Sequence, residues 1–335
     1  MEIEGDEMGH TRCGEEIGDQ FGGWYTFFEE HIQRPLAHLL GAKREEVICM
    51  NSLTANLHLL LVSFYRPEKK RTKILAEVPA FPSDLYALKS HIQNGEDLIL
   101  CPIEKIEEEI VRLADQLALV YINPVNYLTG EVLDTASIAR LAKSYGAIVG
   151  CDIAHAAGNI PLQLHEWGID FAVGCSYKYL CGGPGGPGIA LVHESHHAKD
   201  LPRLSGWWGN DPATRFRMSE DFIPHGGASS WAISTPSILA MAPLAASLAI
   251  FEEIGIETLH KKSLEQTEVL LDLLPTVTPK ERRGAQLSFL FEESKMKKLH
   301  DLGIICDFRA PNILRIAPSP LYNTMDELMH LKECL

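Results

Sequence analysis

The feature that most constrains this chain is a set of short, almost wholly apolar runs separated by helical stretches. The runs are Val47–Met50, Lys73–Val78, Asp97–Cys101, Leu117–Ile122, Ala147–Ile153, Phe171–Cys175 and Ile189–His193. Helix periodicity falls between several of them, at Thr54–Tyr65, Ser83–Gln93, Ile103–Asp115 and Thr135–Tyr145. Strands that show no polar face are strands buried on both faces. Their alternation with helices predicts an α/β fold, a mostly parallel sheet covered by helices on both sides. In such a sheet a ligand sits beyond the carboxyl ends of the strands.

The texture changes near residue 235. Two long helices are predicted at Ser237–Ile254 and Thr258–Leu274. Strands follow at Gln286–Phe291, Ile304–Phe308 and Ile313–Ile316, with helices at Ser294–Leu302 and Thr324–Cys334. That is a smaller α+β C-terminal domain. Residues 1–20 are polar and acidic and predict a loose start. Phe21–Leu40 reads as an amphipathic helix weakened by Pro35. The expected division is an N-terminal arm and helix (1–45), a large domain (46–235), and a linking helix with the small domain (236–335).

With 335 residues the chain is long enough for this arrangement, and its formal net charge of −15 argues against nucleic acid or an anionic membrane surface as the main partner. No apolar run approaches the roughly 20 residues of a membrane span, and the acidic N-terminus does not resemble a leader peptide. The 8 cysteines are scattered without a C-x-x-C pair, as expected of free thiols in the cytoplasm.

Several segments carry chemistry. In Ser176-Tyr177-Lys178-Tyr179-Leu180-Cys181, followed by a Gly/Pro run to Gly188, a lysine stands at a strand end before backbone that can be neither helix nor strand. A lone lysine in such a turn is usually solvated; this one is flanked by tyrosines. Asp152 ends a buried strand, with His155 three residues on. A carboxylate there needs a positive partner, such as a pyridinium nitrogen, or a structural hydrogen bond to backbone or His. Ser52 and Thr54 can cap the helix they precede, or leave its first amides to a phosphate. Phe81 could stack on an aromatic ring and Asp84 reach its polar edge, although Pro82 and Ser83 also suit a plain helix start. Trp207 lies in the glycine-flanked pair Gly206-Trp207-Trp208-Gly209, placed for an indole hydrogen bond or an interface. Arg315, in an apolar strand, needs an anion: a bidentate substrate carboxylate or an internal salt bridge. No metal is expected. His193-Glu194-Ser195-His196-His197 lacks a plausible ligand set and reads as a polar turn after a strand. Glu107-Glu108-Glu109 reads as a solvated helix face.

Taken together, these segments resemble kynureninase. The resemblance rests on Cys175-Ser176-Tyr177-Lys178-Tyr179-Leu180, Asp152-Ile153-Ala154-His155-Ala156-Ala157-Gly158-Asn159, Leu53-Thr54-Ala55-Asn56, Ala80-Phe81-Pro82-Ser83-Asp84 and Asn312-Ile313-Leu314-Arg315-Ile316-Ala317-Pro318. It implies fold type I of the pyridoxal-5'-phosphate enzymes, a homodimer with shared active sites, and hydrolysis of kynurenine or 3-hydroxykynurenine in tryptophan catabolism. Under it, Lys178 carries the cofactor covalently and Asp152 pairs with the pyridine nitrogen. His155 lies near the ring and Phe81 stacks on it. Leu53, Thr54 and Tyr177 hold the phosphate. Pro82, Ser83, Asp84 and Asn123 line the cofactor site, and Tyr177 delivers a proton. Trp207 and Thr235 reach the phosphate from the neighbouring subunit, and Arg315 binds the substrate's α-carboxylate.

The chain departs from that pattern in three places. It has nothing like the family's N-terminal F-L-G-N-S-L-G segment, Asn123 stands where relatives tend to carry a hydroxyl, and Cys181–Gly188 is rich in proline, as in cysteine desulfurases. The alternatives are therefore another enzyme of the same fold, a desulfurase or aminotransferase, or a cofactor-binding homologue of reduced activity.

Overall fold

A computed structural model describes residues 28–335. The expected loose start and the first part of the Phe21–Leu40 helix, with Trp24 and Phe27, lie outside them. From Glu29 to Gln33 the backbone takes a wide π-helical turn that runs into α1 (Arg34–Leu39). Pro35 falls just after that turn, so the helix continues where a kink was expected.

Seven strands form the main sheet: β1 (Val47–Cys49), β2 (Lys73–Val78), β3 (Leu98–Pro102), β4 (Leu117–Ile122), β5 (Ile148–Asp152), β6 (Phe171–Cys175) and β7 (Gly188–Val192). Their spatial order is β1-β7-β6-β5-β4-β2-β3. Neighbours from β3 to β6 pair parallel, and β7 pairs antiparallel with both β6 and β1. Every residue of β4, β6 and β7 is buried, which is why the sequence shows no polar face there. The intervening helices are α2 (Leu53–Phe64), α3 (Pro82–His91), α4 (Ile106–Leu113) and α5 (Thr135–Ser144). The order reverses between β2 and β4, so the carboxyl ends of β2, β4, β5 and β6 open on one crevice.

Beyond the sheet, α6 (Ile238–Ile254) and α7 (Ile256–Glu268) meet at 85°. Gly255 makes the corner at φ +83°, a conformation that side chains resist. The corner starts α7 two residues earlier than predicted. Its expected tail, Val269 to Leu274, leaves the helix and packs into a second core. That core lies under the sheet β8-β10-β9, made of β8 (Leu287–Leu290), β9 (Asp307–Arg309) and β10 (Ile313–Ile316), together with α8 (Met296–Asp301) and α9 (Met325–Cys334).

Candidate active site

A cleft of about 800 Å³ opens at the carboxyl ends of the parallel strands, between the main sheet and the segment Leu302–Arg309. Leu53, Thr54, Phe81, Asp152, His155, Tyr177, Lys178 and Arg315 all line it. Asn123 lines a smaller recess beside it, with Phe81, Asp152, His155 and Lys178. Residues from distant stretches thus converge where the topology predicts a ligand.

Lys178 lies three residues beyond β6. Ser176, which directly follows the strand, is locked in place: its amide and its hydroxyl both donate to the Pro187 carbonyl (3.2 and 2.7 Å), and its own carbonyl accepts from the Gly182 amide (2.8 Å). The Gly/Pro run wraps that closely around Ser176, and a Cβ on Gly186 would lie 2.5 Å from the Ser176 hydroxyl. The proline-rich stretch therefore fixes the strand end that presents the lysine. The Lys178 ammonium lies 5.7 Å from the centroid of the Phe81 ring, and among the described residues no carboxylate forms an ion pair with it.

Asp152 is the last residue of β5, and only 6% of its surface is exposed. It accepts a hydrogen bond from the Ala154 amide at 2.7 Å. Asp84, in the first turn of α3, is 1% exposed, and among the described residues neither of its oxygens meets a donor. Burial raises both carboxyl groups, Asp84 well above the ordinary range because the Asp152 charge adds to it. The Ala154 amide and Lys178 work the other way on Asp152. Of the two acids, Asp152 is therefore the better placed to carry charge. Deeper still, Glu77 in β2 accepts from the backbone and side-chain nitrogens of Asn123, and burial pushes its pKa up to about 7.

His155 is neutral. Burial first, then the charges of Lys178 and Arg315, pushes its pKa well below the imidazole range. Its ring meets Tyr179 edge-on at 5.8 Å, and its Nδ1 has no partner among the described residues. At α2, Ser52 stands at the cap position but its side chain makes no capping bond. Thr54 instead shares a 2.8 Å hydrogen bond with Ser83. The first amides of α2 stay available to an anion, and Pro82 occupies the first turn of α3, where a missing N–H costs nothing.

Arg315, on β10, is held by Asp307 from β9 and by the Tyr127 carbonyl. The internal salt bridge and the cleft-lining position, posed as alternatives in the sequence, coexist. Trp207 and Thr235 do not reach the cleft of their own chain; Trp207 is 40% exposed, edge-on to Phe216 at 5.6 Å. Sequence reasoning missed Glu77, Tyr127, Gln286, Asp307 and Arg309. Of these, Glu77 had a signal, a charge inside an otherwise apolar strand.

The residues fit pyridoxal phosphate. Among the described residues, three polar groups in or behind the recess are buried without hydrogen-bond partners, the Asp84 carboxyl, Asn123 Oδ1 and His155 Nδ1. A ring offering N–H and O–H donors next to an uncapped helix start suits them. The His193 segment forms a different cluster, in which Glu46 and His165 join His193. Glu46 already accepts from the Lys43 and Glu194 amides and from His165. The Ser195 amide donates to His193 Nδ1, which leaves the proton on Nε2, the atom a metal would need. The cluster is a satisfied structural knot.

Comparison with known proteins gives a consistent picture. Residues 20–305 match the family model described as Aminotransferase class-V. A kynureninase of Myxococcus xanthus is 47% identical over 93% of this chain and 80% of its own length. One from Koribacter versatilis is 48% identical over 91% of this chain and 79% of its own. A cysteine desulfurase from Thermococcus onnurineus superposes with a TM-score of 0.77, covering 99% of this chain and 87% of its own, at 20% identity. The cystine C–S lyase C-DES, solved with its product cysteine persulfide, does so at 0.77 and 16%, over 96% of this chain and 88% of its own. These last two likenesses speak to the fold alone.

Proposed function

The chain belongs to the kynureninases, within the class-V aminotransferase family, and on that premise we propose that it hydrolyses L-kynurenine or 3-hydroxykynurenine with pyridoxal phosphate as cofactor. The products are anthranilate or 3-hydroxyanthranilate and L-alanine, with the oxygen of water ending in the aryl carboxyl group. One observation carries this reading: an amine (Lys178), a buried acid (Asp152) in no ion pair among the described residues, and an arginine (Arg315) face a single cleft.

Bound there, the cofactor would supply a protonated ring able to take up the electron pair released at Cα. Asp152 would pair with its ring nitrogen and Phe81 would cover a ring face, while Thr54, the α2 amides and Tyr177 would hold its phosphate. Arg315 fixes the α-carboxylate, which places the Cα proton beside the Lys178 amine that removes it. The Tyr177 hydroxyl, half exposed in the same cleft, returns a proton to Cβ once the carbon–carbon bond has broken. Cys306 also lines the cleft, but burial raises its thiol to about 11, which keeps it protonated and argues against a persulfide-forming nucleophile.

The same proposal includes a homodimer in which Trp207 and Thr235 of each subunit complete the other's site, acting in the cytoplasm in the kynurenine pathway that feeds NAD biosynthesis. The exposure of Trp207 outside its own cleft supports the first part, and the seven unpaired cysteines among the described residues support the second. The test is to add L-kynurenine to the cofactor-loaded protein and follow anthranilate fluorescence together with alanine. Anthranilate and alanine in equal amounts are expected. Conversion of kynurenine to a keto acid without anthranilate would instead mark an aminotransferase.

A further inference from the structure

The antiparallel register of the small sheet sets Arg315 on β10 directly opposite Asp307 on the edge strand β9. Asp307 Oδ2 accepts from Nε of Arg315 at 2.6 Å, lies 2.6 Å from its Nη2 in the same ion pair, and accepts from Nε of Arg309 at 2.9 Å. The Tyr127 carbonyl accepts from Arg315 Nη1 at 2.6 Å. A guanidinium offers five N–H donors in a rigid fork. Asp307 takes the Nε edge and the Tyr127 carbonyl one hydrogen of Nη1, so at least one hydrogen on each of Nη1 and Nη2 has no hydrogen-bond partner among the described residues. A carboxylate bound end-on uses one hydrogen from each of those two nitrogens. The charges point the same way: two arginines and one aspartate leave one positive charge at this end of the cleft, which all three line.

We propose that Asp307 is the positioning residue of the carboxylate site. It grips the Nε edge of Arg315 and presents the Nη1/Nη2 edge to the α-carboxylate of an amino-acid substrate. Resting on the proposed function only in giving Arg315 that carboxylate, the inference assigns selection for a free α-carboxylate to a residue that does not touch the substrate. It also ties the site to the wall of the cleft, because Asp307 sits on the short strand that follows the wall segment Leu302–Cys306. The opposite assignment on the same contacts has Asp307 occupying the place of the substrate carboxylate and competing with it. The two differ in sign.

The experiment uses the cofactor-loaded full chain and the variants Asp307→Asn and Asp307→Ala. The first keeps an acceptor for the guanidinium and guards against local unfolding of the edge strand. With kynurenine, KM should rise roughly tenfold or more in the alanine variant and less in the asparagine variant. L-alanine and ethylamine, which differ by the carboxylate, serve as binding probes read from the cofactor's absorbance. Affinity for alanine should fall about as much as KM rises, and affinity for ethylamine should not move. An unchanged or lowered KM, or a parallel loss for both probes, overturns the assignment. If the wild-type protein leaves kynurenine intact while the alanine-to-ethylamine preference still collapses in the variants, the positioning role stands and the proposed substrate falls. If Arg315→Ala leaves that preference intact, the positioning role falls.

Discussion

The Lys178 ammonium and the Phe81 ring, 5.7 Å apart, come from loops after β6 and β2 that only the folded sheet brings together. They bound one recess with Asp152 and Asn123. An amine on one side, an aromatic face on another and an acid at the base fit a flat, phosphorylated pyridine.

The charge on Asp152 is the first thing to test. Asp152→Asn keeps the shape and removes the partner of the ring nitrogen. Its kcat should fall on the order of a hundredfold or more, with cofactor still bound. Activity within a few-fold of wild type would mean that Asp84 or another group carries that charge.

Glu77 gives a prediction about stability. Burial raises its pKa from the ordinary 4.5 to about 7, so the folded protein binds a proton that the unfolded chain releases. Its contribution is present below pH 4.5 and lost as the pH rises through 7. For the cofactor-free protein this costs roughly 3 kcal/mol across that window. Glu77→Gln still accepts from Asn123 and does not titrate. Denaturant unfolding from pH 5 to pH 8 should show wild-type stability falling relative to the variant. Parallel curves would contradict the assignment.

Shared active sites can be tested by mixing two silent chains. Lys178→Ala lacks the amine, and Trp207→Ala/Thr235→Ala lacks what a neighbour would supply. A hybrid dimer of the two contains one site with every group intact. Activity should therefore appear on unfolding and refolding them together and stay absent from either alone. Hybrid dimers that form and remain inactive would show that each site is complete within one chain.

Much of this could be read from the amino acids. The strands were legible because burial on both faces leaves no polar residue to blur them, as in Leu117–Ile122. Lys178 was legible because the Gly/Pro run around it serves no regular structure. Asp307 was not. Its bond to Arg315 exists only through the register of two strands joined by a turn, which no local pattern announces. The strand expected at Ile304–Phe308 begins instead at Asp307, and Ile305 stands 90% exposed at the cleft. An apolar run at a site's rim looks the same as one in a core. Glu77 was passed over because its strand otherwise follows the buried pattern.

The central claim is that Lys178 carries the cofactor. Protein purified with pyridoxal phosphate should be reduced with borohydride, digested, and its peptides weighed. The reduced cofactor's mass should appear on the peptide containing Lys178, and none should be retained by Lys178→Ala. The same mass on a different lysine, or no adduct in protein that still cleaves kynurenine, would contradict it.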